Sequence, residues 1–599
     1  MTASRMQRVL LLSNAFGGAT MAAYCWLRDR GIETAFHPAG EAASMIAADR
    51  QYAPDILFAP TLTSRVPAAL LGRVVINHPG RIGDRGASSI DWGRYRREPF
   101  GGTTLLLAAE GWDTGDVVYT ATYAYPDEPA TKSWIYSNLN RAAMLRGLEQ
   151  VTAGSLPAAR PLNYQHGDVL GTWNDPMRQG DCTLEWSMPA DEIVWRAAAR
   201  DGAPGVLTEL LGRRVHLYDV HLGGPTRADE GHVVDWIADA AIRVAAGRRG
   251  GNGLRESVWI GYVKPASTPD GQPTFKQPAA WWLREAVGDP PPQAPEPRQY
   301  RGYRPITTQQ RGSVAVITAS AYNGAWSTNF CHSVAATIDA AAGRPEIGQI
   351  VLRGGGTDPF GNGIHLNHIY GAFCRDGRRH HGSAGPRATG LRREAGANIR
   401  AINEVAVALF RARRAGRSVI VLLDGDAGAG GAFLSLCADV VVAVPGRTFN
   451  YHYQGMGGLT GSEFHTLTLP FRVVDEAARH RLLNECLPLS GQQAHRQGLV
   501  DYLAPEGIVG NDLLDWTLEF AARQRELTAD DDLRRWQPLP SEEDLVETQE
   551  RELRTIERDF ASPEFQAALE GFVLKRRGAP PAAATEFRGE YDGTAAPIR

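Results

Sequence analysis

A proline-rich segment near the middle of the chain constrains the fold more than any other feature. Residues 289–297 contain five prolines in nine positions. Proline lacks a backbone N–H and has a fixed φ angle, so this stretch can sustain neither a helix nor a central strand. With 599 residues, the chain is also too long for one hydrophobic core. We therefore predict a linker at residues 288–300 that joins two halves.

The first half carries the pattern of an α/β domain followed by a smaller β-rich one. Short apolar runs, the first at 9–12 and the next at 56–59, alternate with stretches of helical character. This alternation predicts a mainly parallel sheet flanked by helices. Further along, β-like strips such as 257–263 are separated by turns. We place the α/β domain at residues 1–158 and the β-rich subdomain at 159–287.

The second half has the same α/β character. Apolar runs at 314–317, 350–352 and 419–422 indicate buried strands with helices between them. The chain then continues into a charged tail with helical periodicity at 542–559. We predict a second α/β domain, with a C-terminal helical tail, at residues 301–599.

Composition excludes several classes of function. The net charge is −4 without a long block of one sign, which gives no case for nucleic acid or an anionic membrane as a partner. No run of eighteen apolar residues predicts a membrane span, and the strip at 9–12 is too short for a signal peptide. The six cysteines form no Cys-x-x-Cys pair, which favours reduced thiols over zinc or disulfides. We expect a cytoplasmic protein without a metal site.

A histidine and an aspartate stand out in the first half. His78 follows an apolar run, so it is predicted at the carboxyl end of a strand, where open α/β sheets place their sites. Asp113 lies in a second polar turn that also follows a strand. A histidine beside a buried carboxylate can move a proton during acyl transfer. The alternative is that His78 caps a turn and Asp113 begins one.

Two glycine-rich turns stand out in the second half, at 360–366 and 425–431. Glycines allow backbone amides to approach a ligand closely, as is needed to hold a thioester carbonyl oxygen between two N–H groups. The amides of Asn362 and Gly430 are the predicted donors. At Gly430 the start of a helix, predicted at 432–438, would add positive potential.

A tyrosine and a glutamate, Tyr453 and Glu463, lie in the segment 449–463 that follows. A glutamate in a largely apolar pocket can have a raised pKa and act as a base or an acid. Tyr453 could hydrogen-bond the substrate or Glu463. The alternative is that Tyr453 packs as an aromatic side chain and Glu463 lies in the first turn of a helix.

Together these motifs resemble the HypX/HoxX hydrogenase maturation family. The resemblance covers almost the full chain and is strongest at 83–92, 362–367 and 451–463. It implies a 10-formyltetrahydrofolate-dependent formyltransferase-like half, with an open α/β sheet and a β-rich subdomain. The other half is implied to be an enoyl-CoA hydratase-like domain of the crotonase fold.

In the first half the resemblance implies that His78 transfers protons and that Asp113 is its partner. Related formyltransferases have an asparagine two positions before this histidine, where this chain has Ile76. Asn77 is adjacent to His78, and a side chain one position along a strand points to the other face. Asn14, on the first strand-to-helix turn, could line the same pocket. We keep Asn14 and Asn77 as candidates for binding the folate cofactor.

In the second half the resemblance implies a changed reaction. Aligning the glycines places Phe433 and Tyr453 where hydratases have two glutamates, so hydration of a double bond is not expected. The family domain is thought to convert formyl-CoA to carbon monoxide and coenzyme A, which needs a base and a proton donor such as Glu463. Lys575 is implied as an anchor for the nucleotide phosphates of coenzyme A. The alternative is that it belongs to a solvated basic helix end.

The implied function is formyl transfer from 10-formyltetrahydrofolate to coenzyme A, followed by release of carbon monoxide. The implied partners are small-molecule substrates and NiFe-hydrogenase maturation proteins. Two alternatives stay open. One is a folate-dependent formyltransferase that acts on an amine or an acyl-CoA, which the departure at Ile76 permits. The other is a non-catalytic hydrogenase assembly chaperone that binds coenzyme A or folate.

Overall fold

A computed structural model of the chain divides into two compact units, essentially Met1–Tyr303 and Arg304–Ala583. The described residues are 6–575, apart from gaps at 154–158, 162–168, 238, 249–252, 269–270, 289–302, 357–358, 380–383 and 528–538. Almost all of the predicted linker therefore lies outside the described residues. Of the helices within these ranges, none combines the length and apolarity that a membrane crossing requires.

The first unit opens with an α/β layer. Its elements are β1 (Arg8–Ser13), α1 (Gly18–Asp29), β2 (Glu33–Pro38), α2 (Ala42–Tyr52), β3 (Ile56–Ala59), β4 (Val74–His78), α3 (Ser89–Tyr95), β5 (Phe100–Leu107), β6 (Val117–Ala124), α4 (Lys132–Ile135) and α5 (Arg141–Thr152). A single π-helical turn, Tyr136–Asn140, joins α4 to α5.

These strands form one six-stranded sheet in the order β2-β1-β3-β4-β5-β6. The first four strands are parallel, as predicted. Residues 9–12 of β1 are all apolar and fully buried, as is typical of a strand covered on both faces. Strands β5 and β6 are antiparallel to their neighbours. The turn between them, at 108–116, begins beside the start of β4, where the Ala108 N–H donates to the Val74 carbonyl at 2.8 Å.

The rest of the first unit is β-rich, as predicted. Its elements are α6 (Ala190–Ala199), β7 (Val206–Leu210), β8 (Arg213–Leu222), β9 (Val233–Trp236), β10 (Ile242–Arg248), β11 (Arg255–Pro265), β12 (Gln277–Pro278) and α7 (Ala279–Val287). The strands pair antiparallel in the order β7-β8-β11-β10-β9, with β12 on β11. The buried face of this sheet packs against α6 and α7 through residues such as Val258, Ile260 and Trp282.

The second unit contains a second α/β layer and a helical tail. Its elements are β13 (Ile306–Arg311), β14 (Val314–Ala319), α8 (Thr328–Ala342), β15 (Gln349–Arg353), α9 (Leu366–Arg379), α10 (Ala384–Arg414), β16 (Ser418–Leu423), β17 (Ala427–Gly428), α11 (Gly430–Ser435), β18 (Val440–Ala443), β19 (Thr448–Asn450), α12 (His465–Arg472), α13 (Glu476–Asn484), β20 (Leu489–Ser490), α14 (Gly491–Arg496), β21 (Tyr502–Leu503), α15 (Gly510–Leu527), α16 (Glu542–Asp559) and α17 (Pro563–Val573).

The main sheet of this unit has the order β13-β14-β15-β16-β18-β21. All pairings are parallel except that of β13 with β14. Strands β14, β15 and β16 contain the three predicted apolar runs. A smaller sheet, β17-β19-β20, includes β17 from the second glycine-rich turn. Helix α11 begins at Gly430, two residues earlier than predicted.

Candidate functional site

The structure brings His78 and Asp113 together. His78 is the last residue of β4, and the 108–116 turn carries Asp113 to it, with 3.4 Å between His78 Nδ1 and Asp113 Oδ2. The Gly86 N–H donates to the same oxygen at 3.0 Å. Asp113 has a φ of +54°, which is unusual for a residue other than glycine. The turn therefore holds the backbone of Asp113 in an uncommon conformation while its carboxyl group contacts His78.

The surroundings of Asp113 keep its carboxyl group ionised. Burial raises the pKa of Asp113, but the hydrogen bond and charge of His78, the Gly86 N–H and the charge of Arg85 outweigh burial and leave that pKa below its ordinary value. An ionised Asp113 favours the imidazole tautomer with its proton on Nδ1. Nε2 is then the nitrogen that can exchange a proton with a substrate.

A serine that the sequence analysis did not select contacts this nitrogen. Ser89 begins α3, and its Oγ lies 3.2 Å from His78 Nε2, with both side chains buried. Ser89, His78 and Asp113 therefore form a hydrogen-bonded row. The only signal in the sequence was the position of Ser89 within the motif at 83–92, which does not indicate which side chain reaches the histidine.

Asn77 faces away from His78, as the alternation of a strand requires. Its Nδ2 donates to the Pro60 carbonyl at 3.0 Å and lies 3.5 Å from Asn140 Oδ1. Its Oδ1 is buried and has no hydrogen-bond partner in the described part of the chain. Asn77 thus belongs to a buried polar cluster on the other face of the sheet, with contacts distinct from those of His78.

Asn14 joins two turns of the first unit. Its Nδ2 donates to the Ala39 carbonyl at 2.9 Å and to Ser64 Oγ at 2.6 Å. Its Oδ1 accepts from the backbone N–H of Thr63 at 2.6 Å and from the Thr63 hydroxyl at 2.9 Å. Because both polar ends of the side chain are engaged within the protein, its observed role is to hold these turns in place.

In the second unit the two glycine-rich turns lie against each other. The Gly428 N–H donates to the Gly361 carbonyl at 2.9 Å, and the Phe360 N–H donates to the Asp426 carbonyl at 2.8 Å. A Cβ atom on Gly431 would lie 2.1 Å from the Gly361 oxygen. Position 431 therefore has no room for a side chain, and glycine is required for the two turns to meet.

The Asn362 amide is not available as a thioester-oxygen donor in this structure. Its backbone N–H donates to the Gly324 carbonyl at 2.6 Å, and its side-chain Nδ2 donates to the Asn323 carbonyl at 3.0 Å. This corrects the expectation from the sequence. The turn directs this amide toward residues 323–324.

The neighbouring amide of Ile364 is better placed than that of Asn362 to donate to a thioester oxygen. Among the described residues, neither the Ile364 N–H nor the Gly430 N–H has a hydrogen-bond acceptor. The two are brought near each other at Gly363, where a Cβ atom would lie 3.1 Å from the Gly430 nitrogen. On the far side of Ile364, the His365 N–H is fixed by Asn398 Oδ1 at 2.7 Å. Ile364 and Gly430 are therefore the candidate pair of donors.

Tyr453 and Glu463 form a buried pair beside this turn. The Tyr453 hydroxyl donates to Glu463 Oε2 at 2.5 Å, and the Tyr453 ring stacks on Phe433 at a centroid distance of 4.9 Å. Tyr453 is thus an aromatic packing residue as well as a hydrogen-bond donor. Glu463 precedes α12, which begins at His465, and so does not lie in the first turn of that helix.

The carboxyl group of Glu463 faces the amide turn. A Cβ atom on Gly430 would lie 2.3 Å from Glu463 Oε1. Burial raises the pKa of Glu463 to about 8; the Tyr453 hydrogen bond opposes this rise and the negative charge of Glu552 adds to it. Glu463 therefore retains its proton at neutral pH. Because Oε2 accepts from Tyr453, Oε1 is the oxygen left for proton exchange near the turn.

Lys575 lies just after α17. Its ammonium group is 4.5 Å from the ring centroid of Phe572, and the side chain is exposed. The same helix packs on the 449–463 segment, where a Cβ atom on Gly457 would lie 2.6 Å from the Glu564 carbonyl oxygen.

In the described ranges, no group of three or more His, Cys, Asp or Glu side chains is placed to hold a metal.

Each half of the chain is similar to known proteins. Residues 309–579 match the family model for enoyl-CoA hydratase/isomerase. In the first half, 168 residues are 24% identical to methionyl-tRNA formyltransferase of Carboxydothermus hydrogenoformans, a match that covers 28% of this chain and 53% of that protein.

Other similarities span almost the whole chain. The chain is 31% identical over 587 residues to the hydrogenase maturation factor HoxX of Bradyrhizobium diazoefficiens, with 95% of each protein covered. The crystal structure of HypX from Aquifex aeolicus in complex with tetrahydrofolic acid superposes with a TM-score of 0.82 at 27% identity, covering 97% of this chain and 98% of that one. These matches confirm the predicted resemblance and fold class. The chain belongs to the HypX/HoxX family of hydrogenase maturation factors, with a formyltransferase-like sheet in its first half and a crotonase-fold domain in its second.

Proposed function

We propose that the chain transfers a formyl group from 10-formyltetrahydrofolate to coenzyme A and then releases carbon monoxide from formyl-CoA. The formyl transfer is assigned to residues 1–287 and the release to residues 301–599. The tetrahydrofolic acid bound to Aquifex aeolicus HypX and the formyltransferase relatives support folate as the formyl donor. The enoyl-CoA hydratase/isomerase match supports a coenzyme A thioester in the second half.

For the first step, the row of Ser89, His78 and Asp113 supports proton transfer at His78 Nε2. As the thiol of coenzyme A attacks the formyl carbon, Nε2 accepts the thiol proton. The bond between that carbon and the folate nitrogen breaks, and the nitrogen takes the proton from His78. The ionised Asp113 stabilises the charged imidazole in between. Formyl-CoA and tetrahydrofolate are the products.

For the second step, the observation that carries the proposal is the arrangement of Glu463 against two amides that have no acceptor among the described residues. The Ile364 and Gly430 N–H groups would hold the formyl oxygen. Glu463 Oε1, in its carboxylate form, takes the formyl hydrogen as a proton while the bond between carbon and sulfur breaks. The electron pair of the C–H bond stays on the carbon of carbon monoxide, and Glu463 returns the proton to the departing thiolate. A pKa of about 8 makes this carboxylate a stronger base than an exposed glutamate and lets it exchange protons near neutral pH.

The proposal is tested by supplying both substrates of the first step to the full chain and measuring the product of each step. Protein is incubated with 10-formyltetrahydrofolate and coenzyme A, formyl-CoA is measured by chromatography, and carbon monoxide is trapped with a haemoprotein. Wild type should produce both compounds in sequence. Glu463→Gln should accumulate formyl-CoA and lose carbon monoxide release by ~10³-fold. If wild type forms formyl-CoA but no carbon monoxide, the second step is wrong.

The same experiment separates the alternative functions. A formyltransferase that acts on an amine or an acyl-CoA would consume 10-formyltetrahydrofolate only when that acceptor replaces coenzyme A. A non-catalytic chaperone would bind folate or coenzyme A without turnover, and Glu463→Gln would leave hydrogenase assembly intact. The hydrogenase maturation role of the Bradyrhizobium diazoefficiens relative supports NiFe-hydrogenase maturation as the process that uses the product.

A further inference from the structure

The backbone at Glu463 is held in a rare conformation. Glu463 and the residue after it, Phe464, both have a φ of +58°. Residues other than glycine seldom adopt this region, and two in succession are rarer still. Such a corner persists when surrounding contacts hold it. The direction of the Glu463 side chain therefore depends on those contacts.

One carboxylate from a distant helix holds the corner on its C-terminal side. Glu552, on α16, has a 3% exposed side chain. Its Oε2 accepts from the Phe464 N–H at 2.9 Å. Its Oε1 accepts from the Thr466 N–H at 2.9 Å and from the Thr466 hydroxyl at 2.6 Å, and His465 Nδ1 lies 3.4 Å from the same oxygen.

A neutral side chain holds the corner from the other side. Asn403 Oδ1 accepts from the Glu463 N–H at 3.0 Å, and Asn403 Nδ2 donates to Ser462 Oγ at 2.8 Å. The backbone of the corner is thus hydrogen-bonded on both sides. Of the two anchors, Glu552 alone carries a charge, so it can affect Glu463 electrostatically as well as sterically.

We propose that Glu552 is a positioning residue for Glu463. Its carboxylate fixes the corner at 463–464 and so aims Oε1 of Glu463 at the Gly430 amide. This inference rests on the proposed role of Glu463 in the release of carbon monoxide.

A change at Glu552 can be detected through the ionisation of Glu463, which depends on the titratable groups around it. They are Tyr453, Cys331, Cys437, His465 and Glu552. Glu552 is the carboxylate among them, and its negative charge opposes ionisation of Glu463. Removing that charge should make Glu463 easier to ionise. A residue that merely anchored α16 would change stability without this effect.

The test compares Glu552→Gln with Glu557→Gln. Glu557 lies on the same helix but is exposed and pairs with Arg400, so its variant controls for loss of one charge from α16. Carbon monoxide release from supplied formyl-CoA is measured between pH 6 and 10. Glu552→Gln should lower kcat by ~10-fold or more with little change in KM, and should move the pH midpoint of kcat to lower pH. Glu557→Gln should match wild type in both. A loss of kcat without a midpoint shift, or no loss at all, would overturn the proposal.

A second readout does not depend on turnover, so a failure of the proposed function can be distinguished from a failure of this inference. The infrared band of the neutral Glu463 carboxyl is identified by its loss in Glu463→Gln and is then titrated. In Glu552→Gln the midpoint of this titration should fall, and hydrogen exchange of the amides at 463–466 should be faster. An unchanged midpoint with unchanged exchange overturns the inference even in an enzyme that releases no carbon monoxide.

Glu552→Asp serves if Glu552→Gln does not fold. It keeps the charge but shortens the side chain by one methylene group. The Glu463 midpoint should then stay near the wild-type value while exchange at 463–466 becomes faster. Exchange at the wild-type rate in Glu552→Asp would show that the length of this side chain does not position the corner.

Discussion

The two candidate sites each contain an acidic residue at positive φ, but they hold it in opposite charge states. Asp113 has a φ of +54° and Glu463 a φ of +58°. His78, the Gly86 N–H and Arg85 keep the pKa of Asp113 below its ordinary value in spite of burial. At Glu463 burial prevails, and the pKa rises to about 8.

The difference lies in the charge of the neighbours. Asp113 has a histidine and an arginine close by, whereas Glu463 has a neutral tyrosine and a second carboxylate, Glu552. A group that must stay ionised to stabilise an imidazolium needs the first environment, and a group that must take and return a proton near neutral pH needs the second. The contrast shows how similar backbone corners can serve two kinds of proton chemistry.

The largest effect is expected at the contact between Glu463 and the amide turn. In Gly430→Ala the new Cβ would lie 2.3 Å from Glu463 Oε1, so the carboxyl group must move. Carbon monoxide release from formyl-CoA should fall by ~100-fold or more, while formyl transfer should persist. Gly446→Ala is the matched control, because a Cβ there meets no atom within 4 Å. Equal activity of the two variants would show that the position of Glu463 is unimportant.

A comparable or smaller effect is expected when the charge at the first site is removed. Asp113→Asn keeps the size of the side chain, and asparagine tolerates positive φ. Formyl transfer to coenzyme A should fall by ~100-fold, whereas release of carbon monoxide from supplied formyl-CoA should not change. Asp116→Asn, an exposed position in the same turn, should behave as wild type. If Asp113→Asn retains full formyl transfer, ionisation of this residue has no part in the reaction.

Loss of the serine hydroxyl should have a weaker effect. Ser89→Ala removes the partner of His78 Nε2 and leaves Asp113 on the other nitrogen. The kcat of formyl transfer should fall by ~10-fold or less, because a single neutral hydrogen bond contributes about 1 kcal/mol. Steady-state kinetics with 10-formyltetrahydrofolate and coenzyme A measure this change. A loss as large as that of Asp113→Asn would mean that Ser89 takes part directly in the chemistry.

The smallest effect concerns stability and pH. Glu463 has a folded-state pKa of about 8, above the ordinary value of 4.5. The stability that comes from its bound proton is fully present below the unfolded pKa and is lost as pH rises through the folded pKa. Between pH 5 and 8 the free energy of unfolding should fall more steeply in wild type than in Glu463→Gln, by up to about 1.4 kcal/mol per pH unit. Chemical denaturation at several pH values, followed by a probe in the second unit, measures the slopes. Parallel slopes would mean that Glu463 is ionised in the folded protein.

Much of the fold followed from local patterns. The apolar runs at 314–317, 350–352 and 419–422 are β14, β15 and β16, and glycine spacing predicted the two turns that meet at Gly431. Both signals are local. The residues that make a strand apolar, or that let two backbone segments approach closely, are neighbours in the sequence. The antiparallel return of β5 and β6 was missed, because strand direction depends on how the connecting turn folds back.

The site was predicted less completely, for reasons of register and distance. The sequence located the turn at 360–366 but selected Asn362, and which amide of a turn points toward a ligand depends on backbone dihedral angles. Ser89 reaches His78 through the placement of α3. Glu552 is 88 residues from Phe464, whose N–H it accepts, and no spacing rule connects them. Contacts of this kind are set by tertiary packing.

The anchoring of the corner by α16 has a consequence for the order of synthesis. Strands β14 to β18 and both glycine-rich turns are translated well before Glu552. A nascent chain could therefore form the turns that hold a thioester while the corner at 463–464 still lacks one of its two anchors. The second unit would gain its acid group in working orientation only after the helix at Glu542–Asp559 has emerged from the ribosome and docked, so incompletely synthesised chains would remain inactive at this site.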